Sequence, residues 1–148
     1  MSRLFRFQKV SFWVGVVCAG LGLVTSSGCS PFPTFSEQTL WFLHPTLFLL
    51  GCICGYLSVL RVKEIDRDRW TIAEDPSLTS GEREYAHKYA ERERRWAAAA
   101  FGAAPLMVGY WWAYQVSLGN DRLTAHLLPV TGIVGFAVGL VVGKIKDW

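Results

Sequence analysis

The sequence predicts an all-α fold, an integral membrane bundle of four transmembrane helices, and three observations carry that expectation. Of the 148 residues, 51% are hydrophobic and only 18% charged, more apolar material than one soluble core of this size requires. The charges are unevenly spread, most lying in the first nine residues or between Arg61 and Arg95. What remains falls into four stretches of about 20 residues, the length at which a helix rising about 1.5 Å per residue crosses about 30 Å of hydrocarbon. An aromatic content of 14% excludes a disordered chain, and four cysteines are too few for a secreted disulfide scaffold.

The first stretch covers 10–27, behind Arg3, Arg6 and Lys9. Its alternative reading is a cleaved leader, with an apolar centre from Val10 to Val24 and a lipoprotein-like Ser26-Ser27-Gly28-Cys29. Ser26 stands where such a site carries Leu, which favours a retained helix. The acid-free start Ser2-Arg3-Leu4-Phe5-Arg6 suits mitochondrial import.

The second stretch covers 39–60 and leads into a charged loop, 61–95, that opens on the run RVKEIDRDRW. Asp75-Pro76 ends any helix there, and Thr79 with Glu82 forms a capping box for the next one. From that cap to Trp96 nothing opposes a helix, and Glu84–Lys88 and Glu91–Arg95 have the favourable i,i+4 order. The third helix is therefore expected to start well outside the membrane and run into the third stretch, 96–117. On its extension Tyr85, Tyr89 and Trp96 form an aromatic stripe flanked by Lys88, Arg92 and Arg95. That stripe is read as a docking surface for a neighbouring soluble subunit, or as a face resting on lipid headgroups or on 61–78. The fourth stretch covers 123–143.

Orientation follows from the basic residues. Fourteen Lys and Arg belong to the N-terminal tail, the 61–95 loop with its border and the C-terminal tail, against Arg122 alone in the other loops. The positive-inside rule then puts both termini and the charged loop on the cytoplasmic or matrix side, as four crossings require. Trp41, Trp111 and Trp112 fall near the outer boundary and Trp13, Trp96 and Trp148 near the inner one, where amphipathic rings prefer to sit.

Each stretch has small residues at helical spacing. The fourth carries Gly135, Gly139 and Gly143 at intervals of four, with Gly132 before them; the second has Gly51 and Gly55. Internal packing of the bundle accounts for most such faces, and the Gly135–Gly139–Gly143 face is expected to dock a helix from another subunit.

No carboxylate or amine lies near the middle of any stretch, which counts against a proton pump, ion-coupled transporter or channel and makes a small transporter the weakest reading. His44 and His126 lie at matching depths near the outer face, so two imidazoles are placed to hold one haem b iron or singly to ligate chlorophyll. The simpler account of each is an interfacial histidine bonded to a carbonyl, with Pro45 and Pro129 close by. Cys52 and Cys54 are about 200° apart on a helix and cannot grip one metal from one face. P-loop, GxSxG and HExxH signatures are missing. Residues 62–95 hold eight basic and nine acidic side chains, so no net positive field attracts nucleic acid.

The expected function is accordingly that of a non-catalytic accessory or assembly subunit of a larger, energy-transducing membrane complex, whose partners are other membrane subunits and structural lipids. The mitochondrial inner membrane and the bacterial cytoplasmic membrane are the expected sites, with a plastid membrane as the alternative. A haem- or chlorophyll-binding subunit is the second reading.

Overall fold

The computed structural model describes residues 2–29, 32–33, 36–117 and 123–146. It is helical, with no strand among the described residues: α1 Arg3–Ser26, α2 Glu37–Ala73, α3 Ser80–Ser117, the single turn α4 Leu123–His126, and α5 Leu128–Ile145. Three of the four long helices, namely α1, the Gln38–Ala73 stretch of α2, and α5, are long and apolar enough to cross a membrane.

The fourth, α3, falls short in hydropathy because Gly102, Pro105, Gly109, Tyr110, Trp111, Trp112, Tyr114 and Gln115 dilute its alanines and aliphatic residues. It lies against α1, α2 and α5 at once. Ala97, Ala100, Ala104 and Ala113 fill buried positions of such a helix, beside Phe101, Pro105, Val108, Gln115 and Val116. The other three helices keep one side bare. Val10, Trp13 and Leu23 of α1, Trp41, Phe42 and Leu49 of α2, and Ile133, Val134 and Val142 of α5 are exposed, Trp41 to 84%. Exposed apolar side chains on this scale exceed the scattered few of a soluble monomer.

Two expectations need correction. The charged segment 61–95 is not a loop. α2 continues through 61–73, and α3 begins at Ser80, so the two form a helical hairpin rising about 20 Å beyond Arg61. Val62, Ile65 and Ile72 supply an apolar edge at helical spacing, and Ile65 is buried with Ala90 and Ala97 of α3. The last stretch, 123–143, is not one continuous helix. α4 ends at His126 and α5 starts at Leu128, because Pro129 lacks an N–H and its ring clashes with a helical carbonyl four residues back. Pro45 and Pro105, by contrast, stay inside α2 and α3. The loop expected on the outer side, with Asp121 and Arg122, and the terminal residues Met1 and Trp148 lie outside the described residues.

α2 and α5 pack backbone against backbone. A Cβ on Gly135 would run into the Phe48 carbonyl, one on Gly139 into the Cys52 carbonyl, and one on Gly55 into the Phe136 carbonyl. At Gly51 a Cβ would stand 2.7 Å from the Phe136 nitrogen, and at Gly143 it would stand 2.9 Å from Val59 Cβ. α3 joins the pair through Gly132, 2.6 Å by the same measure from the Pro105 carbonyl oxygen, and through Gly109, 2.8 Å from Pro129 Cα. α1 meets α3 at Gly15, where a Cβ would stand 2.8 Å from that of Ala103.

These approaches predict a graded response to added methyl groups. Gly139→Ala meets a backbone carbonyl that cannot swing aside, and is expected to lower stability in detergent by about 1–3 kcal/mol. Gly20→Ala, with nothing within 4 Å of the new Cβ, is expected to be neutral or to gain up to about 1 kcal/mol from better helix propensity. Thermal unfolding of the two purified variants checks the contrast; equal midpoints would refute the packing described.

Candidate functional site

The polar chemistry of the molecule is concentrated at one end of the bundle, where α1 starts and the α2–α3 hairpin leaves it. Ser2 caps α1, its Oγ accepting the Phe5 N–H at 3.1 Å and donating to Glu64 Oε2 at 2.9 Å. Arg61, one turn earlier on α2, reaches the same carboxylate oxygen at 2.5 Å and donates through Nε to Gln8 Oε1 at 3.2 Å. The Arg61 side chain is only 11% exposed, and its guanidinium lies 5.2 Å from the Phe5 ring centre. α1 and α2 touch little elsewhere, so this node is their main tie.

Further along the hairpin, Arg94 of α3 pairs with Asp66 of α2, and Arg69 Nη2 lies 3.5 Å from His87 Nε2. The tip is closed by reciprocal bonds. The Thr79 N–H and hydroxyl donate to Glu82 Oε2 at 2.8 and 2.7 Å, and the Glu82 N–H returns to Thr79 Oγ1 at 3.4 Å. Those Thr79 donors hold the Glu82 carboxyl below its usual range. The Ser77 hydroxyl, then the Ser77 N–H and the nearby Arg83 charge, do the same for Asp75. The expected ion pairs Glu84–Lys88 and Glu91–Arg95 form at 2.8 and 2.6 Å.

Between the node and the tip runs an open groove of about 700 Å³. Ser2 and Phe5 close its end nearest the bundle. Ile65, Ile72, Ala86 and Ala90 give it an apolar lining, and Asp68, Glu93, Tyr85 and Tyr89 line it as well. Neither Asp68 nor Glu93 has a hydrogen bond or ion pair among the described residues.

The residues singled out in the sequence separate into three groups. Tyr85 and Tyr89 belong to the groove, whereas Trp96 lies apart from it, its ring 5.0 Å from Phe12 of α1. The Gly135, Gly139 and Gly143 face, expected to dock a helix from another subunit, is occupied by α2 of the same chain. His44 and His126 have separate partners. His44 Nδ1 lies 2.8 Å from Thr131 Oγ1, and that hydroxyl donates to the Leu127 carbonyl at 3.1 Å. Nε2 is the His44 ring nitrogen without a hydrogen bond among the described residues. His126 is exposed, its ring 6.5 Å from that of Tyr114. No group of three or more His, Cys, Asp or Glu placed to hold a metal occurs among the described residues.

Sequence reasoning missed the Arg61–Glu64 node and the acids of the groove. The i,i+3 spacing of Arg61 and Glu64 was a usable signal for the first. Asp68 and Glu93 stood in a balanced charge run, and only the hairpin register brings them to one groove. Compared with family models, curated proteins and solved structures, the chain matches none of them.

Two outcomes follow from this geometry. Arg61→Ala strands the Gln8 carbonyl and the Glu64 carboxylate, and is expected to cost about 1–3 kcal/mol in thermal unfolding; Arg61→Lys recovers only part of it, because an ammonium lacks the guanidinium fork. A midpoint unchanged in Arg61→Ala would count against the node. For Glu82 and Asp75 the folded-state value is depressed, so their contribution is present above the ordinary carboxylate value and is lost as pH falls through the lowered one. Amide exchange at the hairpin tip should therefore accelerate beyond its intrinsic rate below about pH 4. Glu82→Gln should blunt that pH dependence; an identical profile in the variant would contradict the cap.

Proposed function

We propose that the chain is a four-span integral membrane protein that acts as a non-catalytic accessory or assembly subunit of a larger, energy-transducing membrane complex. α1, α2, the 96–117 half of α3, and α4 with α5 provide the crossings. Both termini and the hairpin lie on the cytoplasmic or matrix side. In this reading the bare apolar sides of α1, α2 and α5 face lipid or neighbouring spans, which need no water-driven burial there. α3 is the fourth crossing despite its lower hydropathy, since helices of the same bundle shield much of its surface.

The observation that carries the reading is the separation of chemistry. No Asp, Glu, Lys or Arg interrupts the apolar stretches, whereas the hairpin that projects from them holds most of the charge and the open groove. A transporter needs an ionisable group at depth. A subunit that holds companions needs a stable membrane anchor and a projecting surface. With its glycine faces already used internally, the chain offers the hairpin as that surface. The mitochondrial inner membrane or the bacterial cytoplasmic membrane suits the charge distribution, with a plastid membrane as the alternative.

A second reading places a chlorophyll or haem on His44 alone. It draws on one observation, that Nδ1 is bonded to the Thr131 hydroxyl while Nε2 has no hydrogen bond among the described residues, and an outer hydrogen bond of that kind orients ligating histidines.

Native electrophoresis of the membrane protein extracted in mild detergent tests the first reading. The band is expected well above the mass of the chain, with stoichiometric companions identified by mass spectrometry. Migration alone at 16.6 kDa plus detergent would end it. An absorption band in the visible that disappears in His44→Ala would establish the second, and a colourless native preparation would remove it.

A further inference from the structure

The groove has a composition that specifies its occupant, and the inference rests on the membrane-subunit reading above. We propose that it seats a Lys- or Arg-bearing amphipathic helix of a companion membrane subunit, the segment that continues one of that subunit's spans out of the membrane.

Shape supports a helix. The trough lies between two antiparallel helices and ends against the start of α1, at Ser2 and Phe5. From Arg61 to Ile72, both of which line it, an α-helix rises about 17 Å, room for about three turns of a partner. Ile65 and Ala90 form a buried floor, while Ile72 and Ala86 keep accessible surface and Tyr85 and Tyr89 are exposed, Tyr85 to 73%. An apolar stripe therefore has Ile72, Ala86 and the two rings to lie against.

Charge supplies the sign. Of the groove's three carboxylates, Glu64 is satisfied by Arg61 and Ser2, and its second guanidinium, that of Arg69, is beside His87. Asp68 and Glu93 are left without a partner among the described residues, on opposite walls of the trough, one from α2 and one from α3. Cationic side chains complement them, and faced tyrosine rings hold ammonium or guanidinium groups as well. Juxtamembrane segments on the inner side of other membrane subunits are enriched in Lys and Arg by the same rule that orients this chain. The groove's carboxylates outnumber its guanidiniums three to two, with Arg69 beside Asp68 on the α2 wall, so an acidic segment would meet net repulsion, chiefly from Glu93.

The test uses the full chain in nanodiscs of zwitterionic lipid, carrying a benzophenone amino acid at Tyr89 or, as a control at the far end, at Trp41. The probe is a synthetic amphipathic Leu/Lys helix of about 14 residues, about 21 Å long, with a Leu/Glu twin. Saturable crosslinking of the Lys peptide at position 89 is expected, weakened about tenfold in Asp68→Asn/Glu93→Gln and by raised salt. Equal capture of the Glu twin, equal capture at position 41, or undiminished capture by the neutral double variant overturns the proposal. Partition of the Lys peptide into empty discs as strong as into loaded ones assigns the binding to lipid and also overturns it. The two readings fail separately. A native complex that survives the double variant intact sinks the groove alone, and a chain that migrates alone yet captures the Lys peptide sinks the subunit role alone.

Discussion

The close approach of α2 and α5 is the constraint on which the rest of the bundle depends. In lipid, or in any apolar surrounding, side chains gain little by leaving the solvent, so helices associate through contact and dispersion at short range. Glycine is a poor helix former, costing about 0.5–1 kcal/mol relative to alanine at each position. Retaining Gly51 and Gly55 on one helix and Gly132, Gly135, Gly139 and Gly143 on the other is favourable only if the backbones meet, and they do. Register follows from this, because a glycine that slides by one residue brings a Cβ against a carbonyl. α3 then docks on the pair through Gly109 and Gly132, and α1 on α3 through Gly15.

The charged end is held together by different physics. α1 has little grip on α2 within the apolar part, and Arg61, Glu64, Ser2 and Gln8 join the two helices by hydrogen bonds to charged groups instead. Loss of one member would strand another, and the Gln8 Nε2 of this node is already buried without a hydrogen-bond partner among the described residues. The hairpin beyond it is stapled by Asp66–Arg94 and closed by the Thr79–Glu82 cap, which together keep the walls of the groove at a fixed spacing.

Much of this was legible in the sequence, and the failures have physical causes. Helix class, three of the four apolar stretches, the capping box and the start of α3 near Ser80 could be read from local signals of period and spacing. The continuation of α2 through 61–73 was obscured because Val62, Ile65 and Ile72 are sparse among charges, and a two-helix contact needs only a narrow apolar edge. The destination of the Gly135–Gly139–Gly143 face could not be read, for a small-residue stripe looks the same whether its partner is in the same chain or another. Likewise His44 and His126 share a depth but not a partner, because depth along a helix says nothing about the direction a side chain takes around it. Tyr85 and Tyr89 were found as a stripe, and Asp68 and Glu93, which give the groove its sign, come together only through tertiary pairing.

The molecule thus divides its labour along its length, apolar contact at one end and specified charge at the other, and the central claim is that a membrane surrounds the apolar part. Cys29 is exposed near the far end of α1, while Cys18 and Cys54 are buried. Labelling of sealed vesicles with a membrane-impermeant maleimide, comparing Cys29 with a cysteine placed at the hairpin tip by Ser77→Cys, reads the sides directly. The account predicts that one thiol reacts in the sealed vesicle while the other is protected until the vesicle is opened, the two exchanging roles in an inverted vesicle; reaction of both from the same face would contradict it.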